Sequence, residues 1–244
     1  MSTESEKSAG GRTAIITGGT GHLGSTVTRA FLAEGYRVAV PWRSRGEWWD
    51  LEEDLSGDER DRALAIEADL TDESRVRDMV RRVRAEWGRV DCLLNLAGGV
   101  AFGEKVWETG LDTWHKMLAV NLTTAFLCCK HVIPFMRRQG KGRIVNVSSK
   151  VSRDIQPGAA AYAVAKGGVT TLTRALREEL KDTGITANVV VPSVIDTPVT
   201  REFISAGDPQ KWVRPREVAD LLLALCGGRC RAVSGSELKV YGDL

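Results

Sequence analysis

This 244-residue chain lacks most of what would tie it to a nucleic acid, a membrane or a metal. Its 34 lysines and arginines almost cancel 32 aspartates and glutamates, leaving a net charge of +2. No field of one sign exists to gather a polyanion or an anionic bilayer, so neither partner is expected. No apolar stretch reaches the ~18 residues of a transmembrane helix, and none is expected. The opening MSTESEKSAGG is polar and has no apolar core, unlike a secretory signal. Residues 1–10 read as a disordered tail. The five cysteines, Cys92, Cys128, Cys129, Cys226 and Cys230, are odd in number and show no CxxC spacing. They read as buried thiols in a reducing cytoplasm, not a disulfide framework. The histidines, His22, His115 and His131, form no ligand pattern, so no metal is expected. Repeats, linkers and low-complexity blocks are missing too, so residues 11–244 are expected to form a single domain.

Short runs rich in Val and Ile alternate with amphipathic segments. The pattern places strands at 12–17, 36–42, 63–67, 91–95, 142–148, 185–191 and 236–240. It places helices at 22–34, 72–87, 110–137, 159–181 and 215–226. The stretch WRSRGEWWDLEEDLSGDERDR is the most polar and reads as a loop or a weak helix. Such alternation makes a parallel sheet covered on both faces. Right-handed crossovers then give a doubly wound α/β sheet, Rossmann-like, of about seven strands with helices on both faces.

Two motifs carry chemistry. The first strand runs through Thr17 into Gly18-Gly19-Thr20-Gly21-His22-Leu23-Gly24, then into a helix. Glycines there let the backbone approach a pyrophosphate held at the helix N-terminus. The second motif is Tyr162-Ala163-Val164-Ala165-Lys166, with Ser148-Ser149 upstream. A spacing of four puts Tyr162 and Lys166 on one helical face. A nearby cation favours phenolate, which would bring a phenol toward neutrality as a proton donor and acceptor.

Together these residues resemble the short-chain dehydrogenase/reductase family, in its short single-domain type. TGGTGHLG is similar to the family's glycine motif, ADL (Ala68-Asp69-Leu70) to its adenine-binding acid, and NLAG (Asn95, Leu96, Ala97, Gly98) to its NNAG. VNLTTAF places Asn121 at the active-site asparagine. IVNVSS followed by YAVAK makes Ser149, not Ser148, the catalytic serine. VPSVIDTP, with Pro192, Ser193, Ile195 and Thr197, resembles the PGxxxTP segment. Two departures stand out. Glycines at 18, 21 and 24 follow the TGxxGxxG spacing of longer, sugar-nucleotide-modifying members, with His22 where short members have glycine. Ser193 also replaces a usual glycine.

The resemblance implies a reductase in which Tyr162 donates a proton to a carbonyl oxygen that Ser149 positions. Lys166 would assist Tyr162 and bind the nicotinamide ribose. Asn121 would hold a relay water, or else merely kink its helix. Thr197 would bond the carboxamide, or else only start a helix at Pro198. Asn95 would fix the turn near the adenosine. Asp69 would accept from the adenine amino group, or else cap its own turn. At the end of the second strand, Trp42 takes the position of the ribose-binding acid, followed by Arg43 and Ser44. A guanidinium there suits a 2′-phosphate, so NADP(H) is the expected cofactor. The alternative leaves Arg43 and Arg45 as solvated charges and lets Glu47 or Asp50 supply the acid.

The expected substrate is a small carbonyl or alcohol compound, with 3-oxoacyl-thioester reduction as the default. A dihydropteridine-reductase-like activity and a non-enzymatic NADP-binding regulator are the alternatives. A sugar-nucleotide epimerase would need a C-terminal substrate domain for which this chain has no room. By resemblance, helices 110–137 and 159–181 pair across a two-fold axis to give a homodimer or homotetramer. Phe126, Leu127, Val132, Ile133, Val169, Leu172 and Leu176 supply the surplus of apolar surface.

Overall fold

The computed structural model describes residues 11–204 and 208–243. The expected tail at 1–10 and positions 205–207 and 244 lie outside the described residues. The strands are β1 (Thr13–Thr17), β2 (Arg37–Trp42), β3 (Ala63–Glu67), β4 (Cys92–Asn95), β5 (Gly142–Val147), β6 (Ile185–Pro192) and β7 (Glu237–Val240). The helices are α1 (His22–Ala33), α2 (Arg45–Glu53), α3 (Gly57–Arg60), α4 (Glu73–Trp87), α5 (Leu111–Leu118), α6 (Thr124–Gln139), α7 (Ala160–Glu179), α8 (Pro198–Phe203) and α9 (Pro215–Cys226).

All seven strands form one parallel sheet in the order β3-β2-β1-β4-β5-β6-β7. Strand side chains alternate between two cores, as a period of two requires. Ala14, Ile16, Val38, Val40, Cys92 and Leu94 pack with α1, α2 and α9. Ile15, Ala39 and Leu93 pack with α4, α6 and α7. The order reverses between β1 and β4, and a ligand crevice belongs at the carboxyl ends of the strands there.

One open reading is decided and two need correction. The polar stretch after β2, read as a loop or a weak helix, contains the helix α2, on which Trp48 and Leu51, three apart, are both buried. The expected helix 110–137 is interrupted by a π-helical turn at Ala119–Thr123. The run Leu111–Gln139 would pass for a membrane span by length and apolarity, contrary to the sequence expectation. Met117, Leu127, Cys128, Cys129, Val132 and Met136 account for that apolarity, because they are buried inside the chain.

The apolar surplus invoked for assembly is smaller than expected. Leu127, Val132, Val169 and Leu176 are consumed by the chain's own cores. Phe126 and Val164 stand out from the same helices, 46% and 50% exposed.

Candidate active site

The glycine turn is shaped by backbone packing. Gly18 sits at φ +66°, and a Cβ there would lie 2.9 Å from the Ala97 backbone. At Gly24 a Cβ would lie 1.9 Å from the Gly18 carbonyl oxygen. Gly19 has room for none either, with Thr28 Oγ1 and Val40 Cγ1 both at 2.9 Å. Gly21 differs, since its Cβ would meet only the Gly18 oxygen, at 3.4 Å. The glycines that packing demands are therefore 18, 19 and 24, and the spacing of longer members at Gly21 is incidental to the fold. Gly24→Ala is expected to cost about 1–3 kcal/mol of unfolding free energy. Gly21→Ala should cost less than about 0.5 kcal/mol, as an unencumbered substitution does. Urea titration of both variants checks this, and equal losses would refute it.

The turn opens onto a cleft of about 580 Å³ at the switch point. Of the expected cofactor contacts, Gly18, Thr20, Gly21, His22, Leu23, Gly24, Trp42, Arg43, Ser44, Asp69, Leu70, Ala97 and Gly98 line it. The tight glycines and this lining fit an extended dinucleotide, whose diphosphate needs close backbone approach. Asp69 Oδ1 accepts from Thr71 N at 2.9 Å and Thr71 Oγ1 at 2.7 Å, so it caps its own turn while lining the cleft. Those bonds, with a smaller contribution from Arg43, hold its carboxyl below the usual carboxylate range.

Other expected contacts do structural work. Thr17 is buried, and its hydroxyl accepts from Leu96 N and Ala97 N, both at 3.1 Å, pinning the β4 turn to β1. Asn95 does not line the cleft. It is buried and donates to Asn146 Oδ1 at 2.8 Å, because its side chain points between β4 and β5. Pro192, Ser193, Ile195 and Thr197 lie outside the cleft lining at the end of β6. Ser193 Oγ donates to Tyr241 O at 2.9 Å, and Ile195 bridges to Val213. Thr197 Oγ1 accepts from Thr200 N at 3.1 Å and so caps α8, with Pro198 following.

The four expected catalytic residues converge. Asn121, Ser149, Tyr162 and Lys166 are 1%, 9%, 8% and 5% exposed. Ser148 and Ser149 have different partners. Ser148 Oγ donates to Lys166 O at 2.8 Å and braces α7, whereas the Ser149 hydroxyl reaches Tyr162. Lys166 Nζ donates to Val147 O at 3.0 Å. Asn121 occupies the π turn, a distortion frequent at functional sites. Its Nδ2 donates to Met117 O and Gly99 O, both at 3.0 Å, and its Oδ1 accepts from Gly99 N at 3.2 Å.

The electrostatics correct one expectation. Burial pushes the Tyr162 phenol above its ordinary value, and the Ser149 hydrogen bond opposes this only in part. Burial pushes Lys166 down to about 8. Desolvation disfavours both charged forms, so it outweighs the attraction expected between ammonium and phenolate.

Sequence reasoning missed Gly99, whose backbone holds both polar atoms of Asn121, and Phe102, whose ring stands edge-on to Tyr162 at 5.7 Å. It also missed Val100, Lys116, Met117, Val120 and Thr124 along the cleft.

A family model described as short chain dehydrogenase matches residues 12–207. A 2-dehydro-3-deoxy-L-rhamnonate dehydrogenase (NAD(+)) from Sphingomonas sp. (strain SKA58) is 34% identical over 192 residues, covering 78% of this chain and 74% of that protein. A 2-(R)-hydroxypropyl-CoM dehydrogenase from Xanthobacter autotrophicus (strain ATCC BAA-1158 / Py2) is 32% identical over 243 residues, covering 95% and 97%. A solved structure, ElxO with NADP bound, superposes with a TM-score of 0.89 at 26% identity, covering 95% of this chain and 98% of that one.

Proposed function

The chain belongs to the short-chain dehydrogenase family, oxidoreductases acting on CH–OH or C=O groups with a nicotinamide cofactor, and from that premise we propose an NADP(H)-dependent ketone reductase. The observation that carries this reading is the chain of contacts among four buried residues: Asn121 and Lys166 meet at Gly98, the Lys166 ammonium lies 6.0 Å from the Tyr162 ring centroid, and Ser149 bonds to Tyr162. The cofactor, when bound, supplies the hydride. Tyr162 donates its phenolic proton to the carbonyl oxygen, and its raised pKa keeps that proton in place at neutral pH. Ser149 donates a hydrogen bond to the same oxygen. Lys166 stands behind Tyr162 to offset the developing phenolate and to hold a ribose. Asn121 anchors the Gly98–Gly99 wall through the Gly99 backbone. Phe102, 56% exposed beside Tyr162, offers an apolar wall to the carbon skeleton next to the carbonyl. A 3-oxoacyl thioester or a comparable ketone suits such a wall. Self-association through the faces bearing Phe126 and Val164 belongs to the same reading.

The cofactor choice rests on Arg43. The end of β2 presents no acid, since Trp42 carries only an indole donor. Arg43 follows it at the cleft. NADPH is expected to exceed NADH in kcat/KM across a panel of carbonyl compounds. Arg43→Ala should lower kcat/KM with NADPH about 10- to 100-fold and leave NADH kinetics nearly unmoved, as loss of a charge-assisted contact would. Equal losses with both cofactors would overturn the assignment. Failure of every ketone to oxidise NADPH would overturn the reductase reading.

A further inference from the structure

We propose that Glu47 is a second cofactor-selecting residue, a carboxylate latched to Thr20 across the mouth of the cleft, where it opposes a 2′-phosphate and favours free ribose hydroxyls. The inference rests on reading the cleft as a nicotinamide dinucleotide site with Arg43 at its adenosine end.

Glu47 lies in the first turn of α2 and Thr20 in the glycine turn. Thr20 Oγ1 donates to Glu47 Oε2 at 3.0 Å, joining segments 27 residues apart. Both residues line the cleft together with Trp42, Arg43 and Ser44. The carboxylate is therefore held at the cleft mouth by a partner that belongs to the phosphate turn itself. In dinucleotide folds an acid accepts from the ribose hydroxyls and repels a 2′-phosphate. Here the end of β2 cannot do this, because the Trp42 indole only donates and its Nε1 is buried without a partner among the described residues. Among the described residues, the carboxylates that the lining offers are Glu47 and Asp69. Asp69 has one oxygen committed to Thr71. Glu47 thus takes over, from α2, the acid's usual work.

Two charges of opposite sign then act on one substituent. Arg43 attracts a 2′-phosphate, and Glu47 repels it. Both side chains are exposed, so both effects are screened by salt. The consequence is a salt-sensitive preference for NADP(H) that Glu47 reduces, not a strict one.

The test is direct binding. Dissociation constants for NADPH and NADH would be measured by cofactor fluorescence for wild type, Glu47→Gln and Arg43→Ala, at low salt and at high salt. Glutamine keeps the size and can still accept from Thr20. Glu47→Gln is expected to tighten NADPH about 3- to 10-fold at low salt, to leave NADH unchanged or weaker, and to lose most of this gain at ~0.5 M salt. A purely structural latch would move both cofactors together, and that result would overturn the proposal. So would no change in either. The underlying reading fails separately, if wild type binds NADH more tightly than NADPH and Arg43→Ala leaves NADPH untouched.

Discussion

Tyr162→Phe is expected to leave a folded, NADPH-binding protein whose kcat for ketone reduction has fallen by at least ~10²- to 10⁴-fold. The substitution removes one hydroxyl and keeps the ring, which is 8% exposed and packs with Met117 and Ala161. Folding should survive because that packing is unchanged. Catalysis should not, because the carbonyl oxygen would develop charge with only Ser149 to meet it. The pH profile gives an independent check. A phenol ordinarily titrates near ~10, and burial raises Tyr162 above that, so the donor keeps its proton through the neutral range. Lys166 is pushed down to about 8 and loses its charge first. The reduction rate is therefore expected to fall as pH rises through about 8, when the ammonium that offsets the phenolate disappears. Lys166→Ala should lose activity and weaken cofactor binding as well. Steady-state reduction beside NADPH titration measures all of this. A near-normal kcat for Tyr162→Phe on the true substrate would show that another group is the acid.

Gly98→Ala is the second change with a large expected effect. A Cβ at this position would lie 2.5 Å from Asn121 Oδ1 and 3.2 Å from Lys166 Nζ. Neither group can simply step aside. Asn121 is held by hydrogen bonds to Gly99 N, Gly99 O and Met117 O, and Lys166 by its bond to Val147 O. One methyl group therefore displaces two members of the proposed proton-transfer set. Misplacement of about 1 Å at a reacting centre costs on the order of 10²-fold, and kcat should drop by that much. Cofactor binding should weaken too, because Gly98 lines the cleft. Gly99→Ala is the matched control. Its Cβ would meet only Val120 Cγ2, at an ordinary 3.6 Å. Activity within about twofold of wild type is expected there. If both variants are equally impaired, general disruption of the loop explains the loss, and crowding of Asn121 and Lys166 does not.

Much of the architecture was legible in the chain. Every expected strand is present, because short Val- and Ile-rich runs bounded by helical periods leave few other arrangements. Helix α9 spans Pro215–Cys226 as read, marked by Pro at its start and Gly227 after its end. Alternatives stayed open where periodicity carries little information. Helix α2, read as a loop or a weak helix, sits in a polar stretch and is held by two buried side chains. Helix α8 begins at Pro198 with Thr197 as its cap, the alternative role of Thr197. A π turn keeps the same residue types as an α-helix and differs only in which carbonyl each amide meets.

The doubly wound sheet and the glycine turn at its switch point could be read from the chain alone, because alternation, spacing and residue type are properties of the chain. The choice of Ser149 beside Tyr162 and Lys166 came from the resemblance to a family. Which polar groups face the cleft and which are consumed inside the fold depended on how the chain packs in three dimensions. Thr17 and Asn95 turned inward, whereas Glu47 and Phe102 came to line the mouth and the tyrosine. Packing also decided the direction of the Tyr162 and Lys166 shifts, because desolvation depends on everything packed around a group. A four-residue spacing specifies who is adjacent, and burial specifies how much a charge there costs.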